Sequence, residues 1–161
     1  KQPFIIGPLG RTNLILEAGK TFGTIPLGLM SVIPGNQTYF SIENTFNNLN
    51  FYEFISDQYV TLQWNHNFQG RLFARIPFMR KLNWREVVGI KGVYGTISDA
   101  NRVINASGLP YVAPENIYWE YSAGIGNIFK VFRIDFAWRG SYLNTPDAQN
   151  FTVKGTFGFN F

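Results

Sequence analysis

The sequence predicts an all-β fold, an antiparallel transmembrane β-barrel segment of about six strands. Residues 151–161 alternate apolar and polar side chains without a break, and successive side chains on a strand point to opposite faces. The same alternation recurs in five earlier segments. Aromatic residues make up 17% of the 161 residues, yet the mean hydropathy is −0.06, as expected where a lipid-facing set and a lumen-facing set cancel.

The first three candidate strands cover 12–21, 58–69 and 82–96. Each has one apolar face, as a half-buried or lipid-facing strand requires. These faces consist of Leu14, Leu16 and Ala18, then Val60, Leu62, Trp64 and Phe68, then Leu82, Trp84, Val88, Ile90 and Tyr94. Glu86 interrupts the third face, so we expect it near a boundary of the membrane.

The last three candidate strands cover 117–126, 131–143 and 151–161. The final segment has the length of a tilted strand that crosses a bilayer, about 9–11 residues. In the last two segments, the side chains that we expect to face lipid are Phe132, Ile134, Phe136, Trp138, Phe157, Phe159 and Phe161. Aromatic residues near strand ends, which suit the membrane interfaces, are Trp84, Tyr94, Trp119, Trp138 and Tyr142.

The polar faces are rich in charge. The residues expected to face a hydrated lumen include Lys91, Glu120, Arg133, Asp135, Arg139 and Lys154. A soluble β-sandwich, whose strands also alternate, would turn such residues to solvent and bury the aromatic faces. A barrel would let opposite charges pair inside. We interpret a possible ladder of Arg133, Asp135 and Arg139 as electrostatic packing inside the barrel rather than as a transport path.

The connections alternate between short and long. Links 70–81 and 126–130 are short, whereas 22–57 and 97–116 are long. Outer-membrane barrels have short periplasmic turns and longer extracellular loops. We therefore expect the chain to end at the periplasmic side, with 144–150 as a further extracellular loop.

Six strands are too few for a single-chain bacterial barrel, which has at least about eight. An open sheet would leave backbone groups unpaired in lipid. The sequence therefore predicts that residues 1–161 form one C-terminal part of a larger barrel, completed by upstream sequence or another chain. The alternative is a small barrel with extra strands at Pro3–Ile6 and around Thr38–Ile42.

Several function classes are disfavoured. The net charge is +4, but the basic residues form no dense run, so we expect no nucleic-acid partner. Without cysteine, disulfides and thiolate metal sites are excluded, and we expect no cofactor. The single histidine, His66, falls on the apolar face with Trp64 and Phe68. Asp57, Asp99 and Asp147 fall in connections, where aspartates usually serve turns.

Four runs in the chain resemble a known family. They are residues 16–26 (LEAGKTFGTIP), 34–40 (PGNQTYF), 51–60 (FYEFISDQYV) and 76–88 (IPFMRKLNWREVV). Together they resemble the C-terminal barrel of a Bacteroidetes-type outer-membrane family of unknown function. Longer members of that family carry an N-terminal carboxypeptidase-regulatory-like domain, which is a β-sandwich and not a peptidase. The resemblance implies an outer-membrane location and recognition of the terminal aromatic residue during barrel assembly.

A more distant resemblance is to the last strands of the BamA/TamA-type barrels, although their Val-Arg-Gly-Phe loop signature is absent from 22–57. We expect a structural or binding component of an envelope protein assembly or export machine, in contact with outer-membrane lipid and with envelope partners. The alternative is a transport pore for small solutes. A lipid-modifying or proteolytic barrel enzyme is the least favoured hypothesis.

Overall fold

The computed structural model describes residues 2–5, 10–105 and 112–158. The strands within these ranges are β1 (Gln2–Ile5), β2 (Arg11–Lys20), β3 (Ser31–Val32), β4 (Ile55–Ser56), β5 (Gln58–Asn67), β6 (Arg85–Thr96), β7 (Tyr118–Ile128), β8 (Phe132–Arg139) and β9 (Phe151–Phe157). The short helices are α1 (Pro77–Arg80) and α2 (Asp99–Ile104), with 3-10 turns at Leu27–Leu29 and Phe73–Arg75. The predicted all-β fold is confirmed.

Seven strands form one sheet in the order β1-β2-β5-β6-β7-β8-β9. Every neighbouring pair is antiparallel. The six long strands coincide with the six predicted segments to within a few residues at most ends. Across the described residues, β1 does not pair with β9, so the sheet is open at both edges.

Of the two additional strands that an eight-stranded barrel would need, one is present in the structure and one is not. β1 occupies most of the predicted Pro3–Ile6 segment, whereas Ile6 lies outside the described residues. The prediction of a strand around Thr38–Ile42 is wrong, because Phe40 makes only a single parallel bridge to Gly155 in β9. The physical reason is a local turn: the Asn36 side-chain oxygen accepts hydrogen bonds from the backbone N–H and hydroxyl of Thr38, which compete with strand pairing.

One predicted strand ends earlier in the structure, and another is described only in part. β8 stops at Arg139, and Tyr142, expected at a membrane interface, has a positive φ of 54° in the following turn. Its ring packs inward against Phe54 at 5.0 Å, so its assignment to the interface was wrong. β9 is described to Phe157, and the predicted lipid-facing Phe159 and Phe161 lie outside the described residues.

The sheet has an inner face that is polar and buried and an outer face that is apolar and largely exposed. On the inner face, Glu120 is only 2% exposed. On the outer face, Leu16 and Phe157 are each 68% exposed. This arrangement is the reverse of a sandwich sheet, which buries its apolar side.

A single segment covers the inner face. We call residues 21–57, between β2 and β5, the inner loop. Its side chains form a buried apolar cluster with Val93 of β6 and Tyr118 of β7. The loop members of this cluster are Ile33, Phe46, Leu49 and Phe54. The hydrophobic core therefore lies between the inner loop and the sheet, and removal of these side chains from water favours the folded-in loop.

Candidate functional site

The inner face brings charged residues from three neighbouring strands into one row. The antiparallel register places Lys91 of β6 opposite Gln63 of β5 and opposite Glu120 of β7. Glu120 in turn lies opposite Arg139 of β8. Since directly opposed residues on one sheet face are neighbours, the alternating sequence pattern is sufficient to assemble this row of positive, negative and positive side chains.

Glu120 is bound by the backbone of the inner loop. Its carboxylate accepts the N–H groups of Asn47 and Asn48 at 2.7 and 2.9 Å and the hydroxyl of Tyr118 at 3.1 Å. The Lys91 ammonium group lies 3.8 Å from the same carboxylate and donates to the carbonyl oxygen of Thr45 at 2.6 Å. Burial of these charges is tolerated because each is paired and hydrogen-bonded.

Arg139 anchors the next part of the inner loop. Its guanidinium group forms an ion pair with Glu53 and donates to the carbonyl oxygen of Asn48 at 3.2 Å. The same group lies over the Tyr118 ring, 4.9 Å from the centroid. A planar guanidinium group supplies several donors in a fixed fork, which suits one side chain that must hold both a carboxylate and a carbonyl group.

β9 holds the first part of the inner loop. The Lys154 ammonium group donates to the carbonyl oxygens of Asn36 and Thr38 at 2.8 and 2.5 Å. Backbone bonds join Gly155 to Tyr39 and Ser41. Because these bonds use the side of Gly155 that faces away from β8, part of the edge of β9 is satisfied by the inner loop.

Arg133 and Asp135 form a separate pair. The Arg133 guanidinium group contacts the Asp135 carboxylate at 2.5 and 2.9 Å, whereas Arg139 binds Glu53 instead. The three residues therefore do not form one ladder. The register places Asp135 opposite Lys154. The inner face therefore holds two separate clusters of charged side chains.

The inner loop does not cover the part of the inner face nearest the turns, and a polar cavity lies there. Its volume is about 630 Å³. Its lining alternates amide and charged groups, chiefly Arg11, Asn13, Gln63, Asn65, Asn67 and Arg133. The inner loop thus fills the half of the inner face that lies away from the β5–β6 and β7–β8 turns. The half nearer these turns could hold water or a small polar ligand.

The outer face carries aromatic side chains in contact with one another. Trp138 stacks on Tyr121 at 5.5 Å and packs against Phe151, while Phe132 contacts Phe157 at 4.8 Å. These contacts leave the predicted lipid-facing residues Phe132, Ile134, Phe136 and Trp138 half-buried. They lie on the face opposite the charged row, as their parity predicted.

His66 keeps its predicted face but is buried. Its ring stacks on Trp64 and meets the edge of Phe68, and its Nδ1 atom lies 2.7 Å from the Thr12 hydroxyl oxygen. Glu86, expected near a membrane boundary, is also buried, and its carboxylate accepts the backbone N–H of Phe73. The segment that contains Phe73 therefore covers Glu86, whereas His66 is enclosed by Trp64, Phe68 and Thr12.

Two loops, the inner loop and the connection between β6 and β7, meet at the end of the sheet opposite the turns. The Asp57 carboxylate accepts the N–H and hydroxyl of Ser98 at 2.9 and 2.5 Å and the Asn101 side-chain amide at 2.8 Å. Asn101 and Asn105 also bind backbone groups of the inner loop at Ile25. Burial alone would raise the pKa of Asp57, but the hydrogen bonds from Ser98 and Asn101 outweigh it and hold the pKa below the ordinary value.

Sequence reasoning identified the charged residues on the strands but not their partners. The missed residues are Asn36, Asn47, Asn48, Glu53, Asn101 and Asn105. The density of asparagines in 36–50 was the available signal, because asparagine side chains readily bind nearby backbone. What these residues bind is set by long-range folding, which no local pattern reports.

No three histidine or acidic side chains within 10–105 and 112–158 lie close enough together to hold a metal ion. None of the described helices combines the length and the apolar character that a membrane crossing needs. The contacts described above bind the inner loop to the inner face of the sheet.

A family model covers most of the strands described above. The model of the C-terminal domain of a family of unknown function, DUF5686, matches residues 1–100. This match includes all four runs that carried the resemblance in the sequence. No curated protein and no solved structure is significantly similar to the chain. The chain belongs to the DUF5686 family, through that family's C-terminal domain.

Proposed function

We propose that this chain is the C-terminal wall of an outer-membrane β-barrel and acts as a structural or binding component of an envelope protein assembly or export machine. The observation that carries the proposal is the reversed burial of the sheet, with charges inside and aromatic side chains outside. Such a surface would aggregate in water, since large exposed apolar patches normally mark interfaces. In lipid the same surface is favourable.

The open edges of the sheet favour further strands as partners. Backbone N–H and C=O groups that face hydrocarbon without partners cost several kcal/mol each. The edge of β9 is satisfied by the inner loop only around Gly155. We infer that the remaining barrel strands, from the same polypeptide or another chain, complete the wall, a topology consistent with the distant BamA/TamA-type resemblance.

The inner loop favours a structural or binding role over an open channel. It binds Lys91, Glu120, Arg139 and Lys154 through hydrogen bonds, which occupy the charged groups that a solute would contact. A transport pore for small polar solutes is the second candidate. The polar cavity of about 630 Å³ beside the loop favours it.

Lipid contact can be tested with two arginine substitutions on neighbouring strands. Phe136→Arg, on the outer face of β8, should destabilise the folded protein in bilayers by roughly 2–4 kcal/mol. Thr156→Arg is the control, because Thr156 lines the polar cavity and an arginine there stays in a polar setting. Unfolding in lipid vesicles measures both, and equal tolerance of the two changes would contradict the facing assignment.

Planar-bilayer recordings separate the two candidate functions. The intact protein should give little conductance if the inner loop keeps its contacts. A large and stable conductance would contradict the structural role and favour the pore.

A further inference from the structure

Basic residues are concentrated at the turn end of the sheet. We call residues 68–85, from the end of β5 to the first residue of β6, the turn segment. The chain has 14 lysine and arginine residues, and six of them lie in the turn segment or in the adjacent β7–β8 turn, namely Arg71, Arg75, Arg80, Lys81, Arg85 and Lys130. No aspartate or glutamate occurs between 68 and 85, so the local charge is strongly positive although the whole chain carries only +4.

These cations are available for a partner. Arg71, Arg75, Arg80, Lys81 and Lys130 are exposed, and Arg85 is half-buried. None of the ion pairs between described residues involves any of the six. By contrast, the inner-face cations Lys91 and Arg139 are both paired. The turn end therefore holds the largest group of cations that form no ion pair with another described residue.

The turn segment is held against the end of the outer face. Glu86 lies on the outer face with Val88 and Ile90, and it is 7% exposed. Its carboxylate accepts the Phe73 N–H, and its carbonyl oxygen accepts the Phe68 N–H at 2.9 Å. These two bonds fix the first half of the segment beside the aromatic outer face rather than beyond it.

Exposed apolar side chains alternate with the cations. Phe78 is 74% exposed and Phe129 is 89% exposed, and Leu72 and Ile76 are about half exposed. A cleft of about 1080 Å³ lies between the turn segment and the β7–β8 turn, and its lining includes Phe78, Arg80, Lys81, Trp84, Arg85 and Lys130. Cationic and aromatic side chains at one level are typical of surfaces that sit in a membrane interface.

We propose that the turn segment, with Phe129 and Lys130, binds anionic phospholipid headgroups. The guanidinium and ammonium groups contact the lipid phosphates, and Phe78 and Phe129 enter the boundary of the acyl chains. This inference rests on the proposed function, because it requires the outer face to lie in a bilayer. The charge complementarity selects anionic over neutral lipid, and the short-turn side of such a barrel faces the phospholipid leaflet.

Native mass spectrometry of the full chain from mixed vesicles of phosphatidylcholine and phosphatidylglycerol tests the proposal. We expect more retained phosphatidylglycerol than phosphatidylcholine per chain, with the preference lost at high salt. Arg80→Gln combined with Lys81→Gln should reduce the preference roughly tenfold or more. Lys20→Gln combined with Arg102→Gln removes the same charge at the opposite end of the strands and should leave the preference unchanged.

The outcomes separate this inference from the function on which it rests. Failure of the intact barrel, including the strands that complete the wall, to insert even into neutral phosphatidylcholine vesicles would overturn the proposed function itself. Normal insertion without a phosphatidylglycerol preference, or equal effects of the two double variants, would overturn the headgroup site alone. Binding of a polyglutamate peptide that depends on Arg80 and Lys81, without any lipid preference, would replace lipid by an acidic protein partner.

Discussion

Lys91 and Glu120 face each other on adjacent strands, with Nζ 3.8 Å from Oε1, and both bind the same stretch of the inner loop. Lys91 donates to the carbonyl oxygen of Thr45, and Glu120 accepts the N–H groups of Asn47 and Asn48. Lys91 thus satisfies a carbonyl acceptor of this loop segment, and Glu120 satisfies two of its N–H donors. The main effect of the pair is to fix the position of the loop, since a buried ion pair by itself adds little net stability.

Glu120→Gln should therefore destabilise the protein strongly. The substitution removes the charge that compensates the buried Lys91 ammonium group and weakens two charge-assisted hydrogen bonds to the loop backbone. We expect the free energy of unfolding to fall by about 3 kcal/mol, as is usual when one partner of a buried pair is lost. Urea unfolding in detergent micelles measures this change.

Glu115→Gln is the matched control for the same chemical change. Glu115 pairs with Arg102, but both side chains are largely exposed, so the loss should stay below about 1 kcal/mol. Similar effects of the two substitutions would show that the Glu120 contacts do not hold the loop.

Gly35→Ala should loosen the inner loop for a steric reason. A methyl group at this position would point into the carbonyl oxygens of Leu49 and Asn50, and backbone atoms cannot swing aside as a side chain can. Gly28→Ala, in the same loop, meets no atom within 4 Å. We expect faster proteolysis within residues 34–50 for the first variant only, and equal cleavage rates would contradict the close approach.

The sequence was sufficient to predict the strands because alternation is a local property. Lys91 and Glu120 are each predicted to lie on the polar face because apolar and polar side chains alternate within their own strands. Their partners were not predictable, because Asn47 and Asn48 contribute backbone N–H groups, which every residue has. Tyr142 was misassigned for a related reason: its parity continued that of β8, but the chain turns after Arg139. Parity predicts a face only while the strand continues.

Asp57 should make the packing of the loops depend on pH. Hydrogen bonds from Ser98 and Asn101 hold its pKa below the ordinary value of 3.8, so the folded state binds its proton less readily than the unfolded state. The stabilisation is complete above that value and is lost as the pH falls through the lower, folded pKa. Unfolding measured from neutral pH down to strongly acidic pH should show this loss.

Asp57→Asn should remove most of that pH dependence. At neutral pH the variant should be less stable by roughly 1–2 kcal/mol, because hydrogen bonds to a charged group are replaced by hydrogen bonds to a neutral one. The difference from the unchanged protein should shrink in acid. Asp99→Asn, at an exposed position at the start of α2, provides the comparison, and an acid response unaltered by Asp57→Asn would contradict this assignment.

Lys154→Met should release the part of the inner loop that covers the edge of β9. The substitution removes hydrogen bonds to the carbonyl oxygens of Asn36 and Thr38 but keeps an apolar stem of similar length. The adjoining Ser41 N–H, which donates to the Gly155 carbonyl oxygen at 2.8 Å, should then exchange with solvent about tenfold faster or more, since bonds to a charged group contribute roughly 1.5–3 kcal/mol.

Amides in the centre of β6 should keep their rates, and Lys20→Met should change neither set. If the Ser41 amide exchanged at the same rate in Lys154→Met, the edge would be covered without the help of Lys154, and the backbone bridge between Phe40 and Gly155 would be sufficient to hold the loop in place.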